Sequence, residues 1–64
     1  MDYLKIINET ISVRGTTIAF ISKRTGMNYE VLRRTLSGDR PMRADELMLI
    51  FDALGYEVSV IQKN

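Results

Sequence analysis

The sequence predicts an all-α chain, a compact bundle of four or five short helices followed by one short C-terminal β-strand. Three observations carry this expectation. Four stretches place apolar residues at the three- and four-residue intervals of a helix face. Glycines at positions 15, 26, 38 and 55 punctuate those stretches. After Gly55 the apolar period changes to two, the spacing of a strand.

The first helix is expected over Tyr3–Val13, with Leu4, Ile7 and Ile11 on one face. Arg14 and Gly15 supply a basic last turn and a stop. Thr16 and Thr17 are candidate N-caps for a second, short helix through Ile18, Ala19, Phe20, Ile21, Ser22, Lys23 and Arg24. Thr25-Gly26-Met27 breaks it, because glycine readily takes the left-handed backbone of a tight turn. Asn28 then caps a third helix through Leu36, with Val31, Leu32 and Leu36 facing inward. Ser37-Gly38-Asp39-Arg40-Pro41 has the composition of a loop. A fourth helix runs from about Arg43 to Leu54, with Leu47, Ile50, Phe51 and Leu54 as its apolar stripe.

The segment Tyr56-Glu57-Val58-Ser59-Val60-Ile61-Gln62 alternates and is rich in β-branched and aromatic residues. Nothing else in the chain has this pattern. A lone strand leaves its backbone donors and acceptors without a ladder, so it calls for a partner. The simplest partner is the same strand of a second copy across a two-fold axis, with Tyr56, Val58, Val60 and Ile61 as the dimerisation residues. The other outcome is a frayed tail. Residues 1–64 therefore read as a single domain, a helical core over 1–55 and a dimerisation strand over 56–62.

Composition narrows function. A chain of 64 residues buries only about 60% of its unfolded surface, and its stability falls at about 3–10 kcal/mol. It has no cysteine and no histidine, which excludes disulfides, thiolate zinc sites and imidazole ligands. Ser-His and Cys nucleophiles and a histidine-held zinc-bound water are excluded with them. Asp45-Glu46 is the only adjacent acidic pair; neighbouring helical residues diverge, and acids in a first turn favour the backbone dipole. The expectation is a non-enzyme without cofactor or metal. With no signal-peptide pattern and no run of 18 apolar residues, it reads as soluble and cytoplasmic, without a membrane partner.

Charge is polarised along the chain. Residues 14–43 hold Arg14, Lys23, Arg24, Arg33, Arg34, Arg40 and Arg43 against Glu30 and Asp39, a net charge of +5. The flanks hold two cations against six carboxylates, a net charge of −4. A basic middle suits an anionic partner on one side, and suits equally a solvated charged surface.

Two helices joined by a short glycine-containing turn form the helix-turn-helix unit. Thr17–Thr25, Gly26-Met27 and Asn28–Leu36 have that layout. Ile21, Met27 and Leu32 would meet in the core, Ser22 is small where the helices touch, and Gly26 turns the chain. Tyr29, Glu30, Arg33 and Arg34 are left on the outer face of the second helix, which can enter a DNA major groove.

At these residues the chain resembles the Cro/phage-repressor (XRE-like) helix-turn-helix family over roughly residues 4–56. The resemblance is carried by Ile21-Ser22-Lys23-Arg24-Thr25-Gly26-Met27, by Leu32-Arg33-Arg34-Thr35-Leu36-Ser37-Gly38 and by Ile50-Phe51-Asp52-Ala53-Leu54-Gly55. It implies a lambda repressor-like DNA-binding fold. It implies that Asn28, Tyr29 and Glu30 open the recognition helix, that Arg33 and Arg34 read bases or grip the backbone, that Arg40 and Arg43 meet phosphate, and that Thr17 lies near a phosphate. Four positions depart from the family. Ile18 stands where a phosphate-binding glutamine is frequent. Ile11 and Leu36 replace an Arg–Glu ion pair by an apolar contact, a swap often neutral when both partners change. Phe20 replaces an exposed polar residue, either tucked beneath the tail or sharing a protein-contact patch with Ile18. Glu30 can accept from a cytosine amino group or pair with Arg33 or Arg34.

The function expected is a dimeric, sequence-specific transcriptional regulator of Cro-like phage or prophage kind, a repressor on a palindromic double-stranded operator, located with the nucleoid. The alternatives are an autoregulating antitoxin of a toxin–antitoxin pair and an antirepressor-like protein-interaction module, the last favoured by Ile18, Phe20 and the near-zero net charge.

Overall fold

Helix formation begins at Asp2, whose carboxylate accepts a hydrogen bond from the Lys5 N–H at 3.0 Å, satisfying one of the orphan donors of a helix start. The computed structural model describes residues 2–57, and over them the chain is all-helical: α1 (Tyr3–Arg14), α2 (Ile18–Thr25), α3 (Tyr29–Ser37) and α4 (Ala44–Ala53). Four helices are present among the described residues, at the lower bound of the four or five expected.

The caps fall where side-chain chemistry places them. The Thr17 hydroxyl accepts from the Phe20 N–H at 3.1 Å and opens α2. The Asn28 carbonyl accepts from the N–H groups of Glu30 and Val31 at 2.9 and 3.2 Å and opens α3. At α4 the Glu46 carboxylate reaches back to the Arg43 N–H at 3.0 Å, which explains why the acidic pair Asp45-Glu46 sits in a first turn. Gly26 ends α2 at φ +76°. A Cβ there would meet nothing within 4 Å, so the requirement for glycine is conformational and not steric.

Every helix contributes to one core: Ile7 from α1, Ile21 from α2, Leu32 and Leu36 from α3, and Ile50 and Phe51 from α4, with Leu54 just beyond it. Leu4, Ile6, Ile11, Ile18, Met27, Met42, Leu47 and Ala53 pack around that centre. α2 packs on both α3 and α4, and α1 on α3. Ile11 and Leu36 both belong to this assembly. Two threonines, Thr10 and Thr35, are buried with it. Each hydroxyl donates to the carbonyl one turn earlier, Thr10 to Ile6 at 2.9 Å and Thr35 to Val31 at 2.8 Å, so no buried side-chain polar atom among the described residues lacks a partner.

The chain leaving α4 is tied back to α1. The Arg14 guanidinium donates to the Leu54 carbonyl and lies over the Tyr56 ring at 5.2 Å. The Tyr56 hydroxyl is 3.1 Å from the Thr10 hydroxyl, and its ring stands edge-on to Phe51 at 5.7 Å. Tyr56 is thus occupied within its own chain, and with Glu57 it is irregular in conformation. Three intramolecular contacts hold Tyr56 against α1 and α4, and Tyr56 and Glu57 carry no strand within the single chain; the strand expected over 56–62 belongs to a pair of copies. Val58, Val60 and Ile61 lie outside the described residues. No helix among those residues is long and apolar enough to cross a membrane.

Candidate nucleic-acid interface

The link between α2 and α3 is stitched by side chains on both sides of Gly26. The Ser22 hydroxyl donates to the Met27 carbonyl at 2.6 Å. The Thr25 hydroxyl donates to the Ile21 carbonyl at 2.8 Å and accepts from the Met27 N–H at 3.1 Å. Met27 packs against the core that holds Ile21 and Leu32. These contacts set the angle at which α3 leaves the turn. From α1, the Asn8 amide donates to the Leu36 carbonyl at 3.0 Å and holds the far end of the same helix.

On α3, successive residues turn by about 100°, so Leu32, Leu36, Thr35 and Val31 form one half of the helix. Leu32, Leu36 and Thr35 are buried and Val31 is half-buried. Tyr29, Glu30, Arg33, Arg34 and Ser37 fall in the remaining arc and are all exposed. The face is not uniformly cationic. Arg33 is held by Glu30 in a two-point pair, Nε to Oε2 at 3.1 Å and Nη2 to Oε1 at 2.5 Å. The hydrogen bond from Arg33 holds the Glu30 carboxyl below the ordinary carboxylate range and raises the guanidinium in turn. Arg34, next in sequence, makes no ion pair among the described residues.

The other expected positions separate into two kinds. Arg43 is exposed and pairs with Asp45 at 3.2 Å. Thr17 is exposed, with its hydroxyl oxygen engaged as the α2 cap. Asn28 is exposed and serves as the α3 cap. Arg40 is half-buried: its Nη1 donates to the Thr35 hydroxyl at 2.8 Å and to the Glu46 carboxylate at 2.9 Å. That hydrogen bond, followed by the one from the Arg43 N–H, holds the Glu46 carboxyl below its usual range. Arg40 therefore joins the end of α3 to the start of α4, a role for which the sequence carried no signal beyond the acid three residues into a helix. Ile18 is half-buried against the core, which excludes it from a fully open patch. Phe20 is 48% exposed, with the Arg24 guanidinium over its ring at 5.9 Å.

The arrangement offers a stiffly held helix with a polar outer face, the Arg34 guanidinium with no ion pair among the described residues, a salt-bridged Glu–Arg unit and an aromatic ring in Tyr29. Such groups can donate and accept at the edges of bases and at phosphates. Compared with family models, curated proteins and solved structures, the chain matches none.

Proposed function

We propose that the protein is a sequence-specific DNA-binding transcriptional regulator, working as a dimer on a palindromic operator in the manner of the Cro-like repressors its sequence resembles. One observation supports this above the rest. The α2–turn–α3 unit is fixed by Ser22, Thr25, Asn28 and Asn8, while the whole outer arc of α3 is left exposed and polar. In a helix-turn-helix the second helix lies in the major groove, its first residues at base edges. Asn28, Tyr29 and Glu30 would then stand nearest the bases, with Arg33 one turn on. Arg34 and Arg43 would meet phosphates, and Thr17 would stand beside one. Arg40 would act chiefly by holding the loop that presents Arg43.

Two copies would set their recognition helices about 34 Å apart, with half-sites about 10 base pairs apart. The test is a mobility-shift titration of the full chain against duplex from upstream of its own coding sequence, followed by footprinting. A protected near-palindrome is expected. Arg34→Ala should weaken binding to all duplexes alike and reduce the salt slope by about one for each phosphate left without its cation. A chain that protects no site and shows no salt-dependent binding would refute the proposal.

Phe20 supports a second reading. An aromatic ring 48% exposed on α2 suits contact with another protein, as an interaction module would need. In that case the titration shows no DNA binding and Phe20→Ser abolishes association with the protein partner.

A further inference from the structure

On the DNA-binding reading, α3 carries an apparent defect: a carboxylate in the middle of the surface meant for a polyanion. Every phosphate repels Glu30, and its two-point hydrogen bond removes Arg33 from the charge available to the backbone. Both side chains are exposed, so neither burial nor packing demands the pair. The backbone dipole favours an acid in this first turn, but that favours Glu30 without requiring its pairing to Arg33, and an exposed i,i+3 pair itself contributes little. The pair spans the first turn of α3, from Glu30 near its start to Arg33, on the same arc as Tyr29, where a recognition helix meets base edges.

We infer that Glu30 and Arg33 form one coupled reader of a C·G base pair, with Glu30 acting as the specificity-determining residue. The chemistry follows from the groove edges. Cytosine presents an amino donor and no acceptor in the major groove, whereas guanine presents two acceptors, and thymine one with a methyl group. Adenine offers an amino donor, but its N7 acceptor lies beside it and repels a carboxylate. A carboxylate is therefore satisfied at cytosine and unsatisfied elsewhere. Arg33 uses its Nε–H and one Nη2–H on Glu30. Its Nη1 hydrogens and the second Nη2 hydrogen remain, and they suit the O6 and N7 acceptors of guanine. The carboxylate also fixes the direction of that fork, so the guanidinium reaches the bases already oriented. Arg34, which makes no ion pair among the described residues, is left as the anchor to phosphate. The pair thus trades general affinity for discrimination: it contributes no net charge to generic DNA and rejects duplexes without a donor opposite Glu30.

The test uses the full-length chain, selection from a random duplex pool, and anisotropy titrations at two salt concentrations on the selected site and on random-sequence DNA. Glu30→Gln, Arg33→Ala and the double variant are compared, with circular dichroism to verify folding. Expected for the unaltered chain is a site with an invariant C·G pair in each half. Replacing that pair should weaken binding by about 5- to 150-fold. Glu30→Gln should bind random DNA more tightly, with a steeper salt slope, and lose or move the preference at that position. The double variant should be non-additive, as expected for residues acting as one unit. If the unaltered chain selects a site but Glu30→Gln leaves the preference intact or weakens random DNA, the paired-reader proposal falls and DNA binding stands. If the unaltered chain selects no site, both fall together.

Discussion

Asn28 is asked to do two things, and two substitutions separate them. Its side-chain carbonyl accepts from the Glu30 and Val31 N–H groups at 2.9 and 3.2 Å, which opens α3, and it stands first in the row expected to face DNA. Alanine removes both roles. Loss of an N-cap costs about 1 kcal/mol, with a range of about 0.5–2. For a domain of this size that lowers the melting temperature by about 4–8 °C per kcal/mol. If total stability is as low as about 3 kcal/mol, the remaining 2 kcal/mol still leaves only about 3% of molecules unfolded at 25 °C. Any drop in DNA affinity beyond a few per cent then comes from the bound surface and not from unfolding. Aspartate makes the opposite change. It caps as well as asparagine, and a negative charge at a helix N-terminus is favoured by about 0.3–1 kcal/mol, so Asn28→Asp should melt at or above the parent temperature. On DNA the same charge is repelled.

The expected order in thermal melts is therefore Asp at or above Asn, with Ala lowest, and in anisotropy titrations Asn above Ala, with Asp lowest. Two results would refute the reasoning. If Asn28→Ala melts with the parent, the two hydrogen bonds do not open α3. If Asn28→Asp binds duplex as well as the parent, position 28 does not face a polyanion.

Three further outcomes follow from the structure. Glu46 has its carboxyl held below the ordinary value of 4.5, first by the hydrogen bond from Arg40 and then by that from the Arg43 N–H. Its contribution is thus complete above about that value and is lost as pH falls through the depressed folded-state value; Glu46→Gln should flatten this acid limb in melts taken from pH 7 downward. Ile50 is fully buried, and Ile50→Ala should cost about 2–5 kcal/mol, as read by denaturant titration, a loss that unfolds a large fraction of the domain if its stability lies near the low end of about 3–10 kcal/mol. Tyr56→Phe keeps the edge-on ring contact with Phe51 and deletes the hydroxyl bond to Thr10. Because the Thr10 hydroxyl still donates to Ile6, the loss should stay near the low end of about 0.5–1.5 kcal/mol, seen as a small downward shift in melting temperature.

Local chemistry was the legible part of the fold. Helix starts at Thr17 and Asn28 and stops at Gly15, Gly26 and Gly38 follow from capping and from backbone freedom, both of which act within a few residues. Most of the core was readable from period: Ile7, Leu32, Leu36, Ile50, Phe51 and Leu54 all lay on stripes of helical spacing, and Ile21 was placed there by the helix-turn-helix layout. What escaped were contacts between elements distant in sequence. Asn8 capping the end of α3, Arg14 closing on Leu54, and Tyr56 settling on Thr10 and Phe51 tie the ends of helices to one another, and the bonds to Leu36, Leu54 and Thr10 each span 28 residues or more. No local pattern marks an exposed-looking asparagine or arginine as a long-range tie. Tyr56 shows the same: its place in an alternating run carries no sign that its ring meets Phe51 and its hydroxyl meets Thr10. Arg40 escaped because a basic residue in a polar loop looks the same whether it faces solvent or a buried threonine.

The distribution of partners changes what the basic middle of the chain means. Seven cations over residues 14–43 suggest a broadly cationic surface, but four of them are engaged. Arg14 is turned to the Leu54 carbonyl and the Tyr56 ring, Arg33 to Glu30, Arg40 to Thr35 and Glu46, and Arg43 to Asp45. Lys23, Arg24 and Arg34 make no ion pair among the described residues. Sequence-independent affinity depends on the number of phosphates neutralised, so the three cations of residues 14–43 that make no ion pair among the described residues support only shallow salt dependence from this basic stretch. On the DNA-binding proposal, binding strength would have to come from base contacts and from doubling the surface in a dimer. The exposed pair of Arg43 and Asp45 is the one most easily exchanged for a phosphate, because it is solvated and holds little energy. The Arg40 pair is the least easily exchanged, since its release would also strip the buried Thr35 hydroxyl of a partner. The charge that sequence counts as one basic region is thus divided by the fold into cations that hold the helices and cations that a polyanion can reach.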